Sequence, residues 1–378
     1  MTTTTFRLAL AAGTLLATAA AVAQDTQTVR IAHVGPLTGG AAHLGKDSEN
    51  GVRMAIAELN AQPLTIGGRK IRFKLAAEDD AAHPTQATIV AQRLCDLGTA
   101  GVVGHLQSGT TIPASDIYHR CGLPHITPAA TNPDVTAKGY STTYRVIAND
   151  LALGTALALY AADVLKLQRV AVIDDRTAYG QAVAEVFKAT AARKGIEVVA
   201  IEFTKDTATD FMAILTNIRA AKPQAIFFGG LDAQAGPMLR QMGQLGMDQV
   251  RFLTGDGSCT EKLPAMASQA ATVRNVVCAT AGVSVARMPG GKAWKKRYDA
   301  RYPAQFEIYS PYAYDATMVL VDAMKRANSV DPKVYLPALR QTRYQGVTAQ
   351  IAFTDKGELT QPAVTLNSYR NNVRTPLN

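Results

Sequence analysis

The sequence predicts an α/β protein of two lobes, each a parallel sheet wound on both faces by helices. Three observations carry this. Short apolar strands alternate with amphipathic helices from Thr28 onward in the order βαβαβαβ, the pattern of a parallel sheet covered on both sides. After a polar break at Ala148, Asn149 and Asp150 the same alternation starts again near Arg169. Length agrees, because 378 residues would divide into two domains of roughly 150 to 200 residues each.

The first residues read as an export signal. A lone Arg7 precedes a Leu/Ala-rich run over 8–20, and Ala21, Val22 and Ala23 fit a small-x-small cleavage site, so residues 1–23 are expected to be removed after Ala23. The run is too short for a stable bilayer anchor, and no Cys near the cleavage point offers a lipid attachment.

The first strand is expected over 29–34, followed by a helix over 45–60 with Val52, Ile56 and Leu59 on one face. A strand over 70–77 comes next, and Pro84 opens a helix whose Ile89, Val90 and Leu94 are expected to face inward. The strand over 100–104 runs into Gln107, Ser108 and Gly109, which open a helix reaching roughly Tyr118. A strand over 123–127 ends in the turn Pro128, Ala129, Ala130, Thr131.

A strand over 143–146 and the polar break lead to a helix with Leu151, Leu159 and Leu165. Strands over 169–173, 197–203, 225–228 and 251–254 then alternate with helices over 179–193, 211–221 and after Asp232. A strand over 275–280, a helix around Trp294 and a long helix follow, the last with Ser310 as its cap and Pro311 in its first turn. Another helix starts at Asp331 and Pro332. Strands over 347–353 and 363–369 are joined by Asp355, Lys356 and Gly357, a turn signal.

Removing residues 1–23 takes away one Arg and no acid, so the formal charge falls from +9 to +8. Lys and Arg are dispersed, with no basic stripe interleaved with aromatics, so no nucleic-acid partner is expected. The one cluster, over 292–301, reads as a solvated helix face. Four cysteines in an exported chain allow two disulfides. Cys95 closes one helix and Cys121 the next, and a doubly wound sheet puts both on one face with their ends close. That pairing leaves Cys259 with Cys278, as a second bridge or as free thiols.

Enzyme signatures are absent: no G-x-G-x-x-G follows the first strand, and no phosphate-binding loop, G-x-S-x-G or H-E-x-x-H occurs. His33 and His105 can share neighbouring strands, but no acidic partner at ligand spacing accompanies them, so neither metal nor cofactor is expected. Asp79 and Asp80 at a strand end read as solvated carboxylates. What stands out is Ser108 at a helix start, where unpaired N–H groups and the macrodipole favour an anion. Thr131 ends the next strand, and Asp256 follows a strand of the other lobe. A small ligand with a carboxylate and an ammonium would find a hydroxyl and amides for the first and a carboxylate for the second. Tyr179, at the mouth of the second lobe, reads equally as a cleft wall or a packing residue.

The stretches GHLQSGTTIPASDIY, ITPAAT and VIDDRTAYG resemble the leucine/isoleucine/valine-binding protein family of periplasmic substrate-binding proteins. The similarity runs in order over nearly the whole mature chain, including GPLTG with Leu44 and Gly45, DDAAHP and FTDKGEL. It implies a type I periplasmic binding protein: two Rossmann-like doubly wound parallel-sheet lobes joined by a three-strand hinge. The first lobe would take 24–147 and 282–349, the second 148–281 and 350–378. The resemblance implies that Ser108 and the turn Ala129, Ala130 and Thr131 bind the ligand's α-carboxylate and α-ammonium. It also implies that Asp256 pairs with the ammonium and that Tyr179 lies beside the ligand. Leu44 and Leu231 stand where the branched-chain binder has tyrosines, Asp256 is one methylene shorter than its glutamate, and Ala82 and Gln107 occupy the positions of its disulfide. The side-chain pocket is therefore expected to be altered.

The resemblance thus implies a soluble, monomeric periplasmic receptor without catalytic activity. It would capture a small amino acid, branched-chain or related, by hinge closure and deliver it to a membrane ABC permease. Two other readings share the fold: a ligand sensor acting through a separate membrane partner, and an importer receptor for an amide or aromatic carboxylate.

Overall fold

The computed structural model describes Thr2 and residues 26–377; the expected export signal lies outside the described residues. The chain runs through β1 (Thr26–Gly35), α1 (Ala42–Asn60), β2 (Thr65–Ile66), β3 (Arg69–Asp79), α2 (Pro84–Asp96) and β4 (Gly101–Gly104). It continues through α3 (Ser108–Cys121), β5 (His125–Thr127), α4 (Asp134–Ala137) and β6 (Thr143–Arg145). These strands make one six-stranded sheet in the order β2-β3-β1-β4-β5-β6, parallel throughout except where β2 pairs antiparallel with β3. Ile31, Ala32 and Val34 of β1 are all buried, which a strand covered on both faces requires.

The second half runs through α5 (Asp150–Asp163), β7 (Arg169–Asp174), α6 (Ala178–Arg193), β8 (Glu197–Phe203), α7 (Met212–Ala220) and β9 (Ala225–Gly229). Next come α8 (Asp232–Gln244), β10 (Arg251–Thr254), α9 (Leu263–Met266) and β11 (Val276–Thr280). The chain then makes α10 (Gly291–Arg301), α11 (Ser310–Arg326), α12 (Pro332–Arg340) and the hairpin β12 (Arg343–Gln345) with β13 (Gln350–Ala352). Of these, α11 packs on α1 of the first lobe. Finally β14 (Thr365–Arg370) and β15 (Val373–Pro376) enter the second sheet, whose order is β15-β14-β11-β10-β9-β7-β8. Two of the segments that pass between the sheets touch, the Ala148 N–H donating to the Ala281 carbonyl at 3.2 Å.

The two lobes open alike for a physical reason. A β-carbon on Gly45 would lie 1.8 Å from the Pro36 carbonyl oxygen, and one on Gly180 would lie 2.2 Å from Asp175 Oδ1 and 2.4 Å from the Gly229 carbonyl. At both places a helix starts so close to the preceding strand's loop that only glycine fits.

Several sequence expectations are corrected here. Ile89 is exposed, while Ala87, Val90, Ala91 and Leu94 form the buried stripe of α2; Ile89 sits about 100° around the helix from Val90. In α5, whose facing the sequence pattern leaves open, Leu151 and Leu159 lie on the exposed side, and Leu153, Leu157 and Ala161 carry the core face. Ser310 does not cap α11. Instead Asp47 of α1 does so from outside: its Oδ2 accepts the N–H groups of Ile308, Tyr309 and Ser310 at 3.1, 2.7 and 2.9 Å, and its Oδ1 accepts the Tyr298 hydroxyl at 2.9 Å.

The strands flanking Gly357 do not pair with each other. β13 pairs with β12 and β14 with β11, leaving a lone bridge between Phe353 and Leu359 around the turn. Glu358 forms an ion pair with buried Arg145 of β6, and the Arg145 N–H donates to the Gly357 carbonyl at 2.9 Å. Residues 357 and 358 are thus tied to the first sheet, and position 349 lies in the turn between β12 and β13.

Both cysteine pairs are bridged. Cys95–Cys121 joins the C-terminal ends of α2 and α3, and Cys259–Cys278 ties the turn after Asp256 to β11. No helix among the described residues is long and apolar enough to cross a membrane.

Candidate functional site

A cavity of about 380 Å³ opens between the carboxyl ends of the two sheets, the place where open α/β sheets leave a crevice for ligands. Ser108, Ala129, Tyr179, Leu231 and Asp256 all line it, so residues up to 148 positions apart in sequence meet around one space. Leu44, Ala130 and Thr131 do not line it. Leu44 is fully buried behind the wall, packed with Leu106, Ala129, Ile308 and Tyr309. Ala130 has its N–H on Thr127 Oγ1 at 2.9 Å and its carbonyl on Arg145 Nη1 at 2.8 Å.

Ser108 is the first residue of α3 rather than its cap. Its Oγ accepts the Asn132 N–H at 3.2 Å, which fixes the hydroxyl while leaving its proton to donate. Thr110 and Thr111 already send their N–H groups to the Gln107 carbonyl. That leaves the N–H groups of Ser108 and Gly109 at the positive end of the helix, beside the cavity.

Opposite in chemistry stands Asp256, on the short turn after β10 and only 1 % exposed. Its Oδ1 accepts the Tyr179 hydroxyl and its Oδ2 the Tyr309 hydroxyl, both at 3.0 Å. The Tyr179 oxygen in turn accepts the Gly257 N–H at 3.0 Å. Burial and the Asp256 charge push both phenols well above their ordinary range, so each remains a donor. Burial pushes Asp256 itself up to about 6, and the two tyrosine hydrogen bonds oppose it only in part.

A second acid lies behind it. Asp150, the first residue of α5, is fully buried, and neither of its carboxyl oxygens meets a hydrogen-bond partner among the described residues. The Thr131 hydroxyl faces it without a well-formed hydrogen bond, and the Asp150 N–H donates to the Thr131 carbonyl at 2.9 Å. Burial raises Asp150 well above the usual carboxylate range; the Thr131 hydroxyl and the Arg145 charge oppose this in part, and the Asp256 charge adds to it. Burial of these two carboxyls together disfavours both being ionised, and a cation beside Asp256 would offset that cost.

Sequence reasoning missed Tyr309 and Asp150. The sequence shows Asp150 only as part of a polar break, and an acid at the start of an apolar helix where the chain crosses between lobes is the signal that marks it. Tyr309 reaches Asp256 because Asp47 fixes the turn before α11, a relation with no local sequence signature.

The remaining polar candidates are braces. His33 lies between the carbonyls of Val103 and Gly45, and burial lowers it to about 4. His105 contacts Asp80 at 2.7 Å and the Tyr118 hydroxyl at 3.0 Å. Asp80 is thus buried rather than solvated, while Asp79 holds the Leu37 and Ala81 N–H groups at 2.8 Å. No cluster of three or more His, Cys, Asp or Glu suited to a metal occurs among the described residues.

Comparison with known proteins agrees with this architecture. The family model described as periplasmic binding protein matches residues 28–368. An amino acid binding protein of Pseudomonas aeruginosa is 36 % identical over 332 residues, covering 88 % of this chain and 87 % of the relative. A leucine-, isoleucine-, valine-, threonine- and alanine-binding protein of the same organism is 32 % identical over 340 residues, covering 90 % and 89 %. The crystal structure of a leucine-binding protein from Thermotoga maritima superposes with a TM-score of 0.85 at 26 % identity, covering 93 % of this chain and 98 % of that one. The matched span, the identities and the paired sheets together place this chain in the periplasmic binding protein family, whose members bind solutes and are not enzymes.

Proposed function

We propose that the protein is the substrate-binding component of an ABC importer and that its ligand is a small α-amino acid. The observation that carries this reading is the buried carboxyl of Asp256, in the same cavity as the start of α3 at Ser108 and with Asp150 buried beyond the lining. An ammonium beside Asp256 would restore its ionised form, and a carboxylate would meet the Ser108 hydroxyl and the Ser108 and Gly109 N–H groups. The names of the two Pseudomonas relatives support the same class of ligand. Leu106, Ala129 and Leu231 supply an apolar wall for the side chain.

In this reading the lobes move about the segments that pass between the sheets, near 147–149, 281–284 and 360–364. A ligand that touches both lobes favours closure by its higher affinity for the closed form. Closure removes water from the paired charges and strengthens them, and a membrane permease then recognises the closed shape.

The test is calorimetry on protein unfolded and refolded to remove carried-over ligand, with L-leucine, L-valine and 4-methylpentanoate, which lacks the amine. Asp256→Asn is expected to weaken the amino acids by about 2 to 5 kcal/mol, the cost of leaving a buried charge without its partner. It should barely affect 4-methylpentanoate. Equal losses for both kinds of ligand would sink the ammonium assignment.

A further inference from the structure

His43 lies in the first turn of α1 and Asp232 opens α8, so each comes from a different lobe. His43 Nε2 is 2.8 Å from Asp232 Oδ2, with side chains only 9 % and 0 % exposed. Asp232 is positioned from its own lobe, its Oδ2 also accepting the Thr260 hydroxyl at 2.6 Å. Neither His43 nor Asp232 lines the ligand cavity.

A second contact crosses the cleft beside this pair. Glu307 precedes the turn that Asp47 fixes to the first lobe. It accepts the Glu261 N–H at 3.2 Å and lies 3.4 Å from Lys262 Nζ, both on the second lobe. The backbones meet here too, since a β-carbon on Gly40 would lie 3.6 Å from the Ala233 β-carbon.

We propose that His43 and Asp232 form a latch between the lobes, a positioning pair that sets ligand affinity by favouring the closed form and makes that affinity fall as the medium becomes alkaline. The proposal rests on the reading that the lobes open and close around a ligand.

The sign follows from what closure does to the imidazole. Burial alone would lower the His43 pKa; the hydrogen bond and charge of Asp232 outweigh it and, with Glu307, raise it above the ordinary histidine value against the opposing charge of Lys262. Opening the cleft separates His43 from Asp232 and returns it to water. The closed form therefore holds the proton more tightly, so closure takes up a proton. The gain is complete at pH below the open-state pKa and is lost as pH rises through the closed-state value. Glu307 faces His43, Lys262, Asp47 and Asp232, and burial pushes it up to about 7. Its burial on closure acts with the same sign.

Calorimetry with L-leucine and L-valine between pH 6.5 and 8.5 tests the latch. Each unit by which closure raises the His43 pKa changes affinity by at most about tenfold, and the native protein is expected to weaken by about three- to tenfold across this range. His43→Gln and Asp232→Asn should each flatten that slope, leaving only the part carried by Glu307, while the leucine-to-valine affinity ratio stays unchanged. A slope in His43→Gln equal to the native one overturns the proposal, as does a changed ratio, which would make His43 part of the ligand wall. If neither amino acid binds, the functional reading fails and small-angle scattering of the ligand-free protein decides the latch. A compact fraction that falls from pH 6.5 to 8.5 more steeply in native protein than in His43→Gln supports it, and identical profiles in the two proteins overturn it.

Discussion

Tyr309 and Asp256 come from opposite lobes and are joined by a 3.0 Å hydrogen bond in which the phenol donates to the carboxylate. The contact stands at the cavity wall, so the acid that would receive a ligand's ammonium is completed by the lobe that moves toward it. Tyr179 supplies the matching bond from the acid's own lobe. In the proposed opening and closing the two tyrosines are therefore unequal: the Tyr179 bond lies within one lobe and would persist, while the Tyr309 bond crosses the cleft and would form only when the lobes meet.

Replacing Tyr309 by Phe removes a hydrogen bond to a charged group, and amino-acid binding is expected to weaken by about 1.5 to 3 kcal/mol. Because that bond also favours the ionised acid, the pH below which binding fails should move upward. Calorimetry across pH on the variant checks both effects; an unchanged acid limit would mean the contact does not act on Asp256.

Acid pH should weaken amino-acid binding. Asp256 is pushed up to about 6 by burial, and only its ionised form attracts an ammonium, so affinity is expected to fall as pH drops below about 6. The ligand-free protein should show the opposite trend from this group. The folded state holds the Asp256 proton more tightly than the unfolded state does, so the group's unfavourable contribution is relieved as pH falls from above 6 towards the unfolded value. Paired thermal melts with and without ligand, from pH 7.5 to 5, would separate the two trends.

Ser108→Ala removes the hydroxyl at the start of α3 and with it a charge-assisted bond to a ligand carboxylate. The expected loss is about 1.5 to 3 kcal/mol for amino acids and for 4-methylpentanoate alike, in contrast to the selective loss for Asp256→Asn. Equal affinities in native and variant protein would place the carboxylate elsewhere.

Opening the Cys95–Cys121 bridge should lower stability without touching ligand binding, because neither cysteine lines the cavity. A loop of this length predicts a loss of about 3 kcal/mol in the double Ala variant. Denaturant unfolding measures it, with calorimetry as the control for binding.

Much of this molecule can be read from local pattern. Strand and helix alternation, the helix start at Ser108 and the acid after β10 are visible because each depends on neighbours in sequence. Leu44 could not be placed this way: its position in α1 gives it a buried direction, but whether that direction meets the cavity or the wall behind it depends on where the Ile308 and Tyr309 turn packs. Ile89 shows the same limit within a single helix, since an apolar residue next to the core stripe reads as part of it. His43 and Asp232 are 189 positions apart and meet only when two lobes meet; nothing in either local stretch announces the other.

The second sheet takes its outer strands β14 and β15 from residues 365–376, long after β11 has been made. Until those residues join the sheet, the edge of β11 in the lobe that carries Asp256 stays uncovered. Shortening the chain before Thr365 would leave that edge open for good and offer it to other chains as a pairing surface.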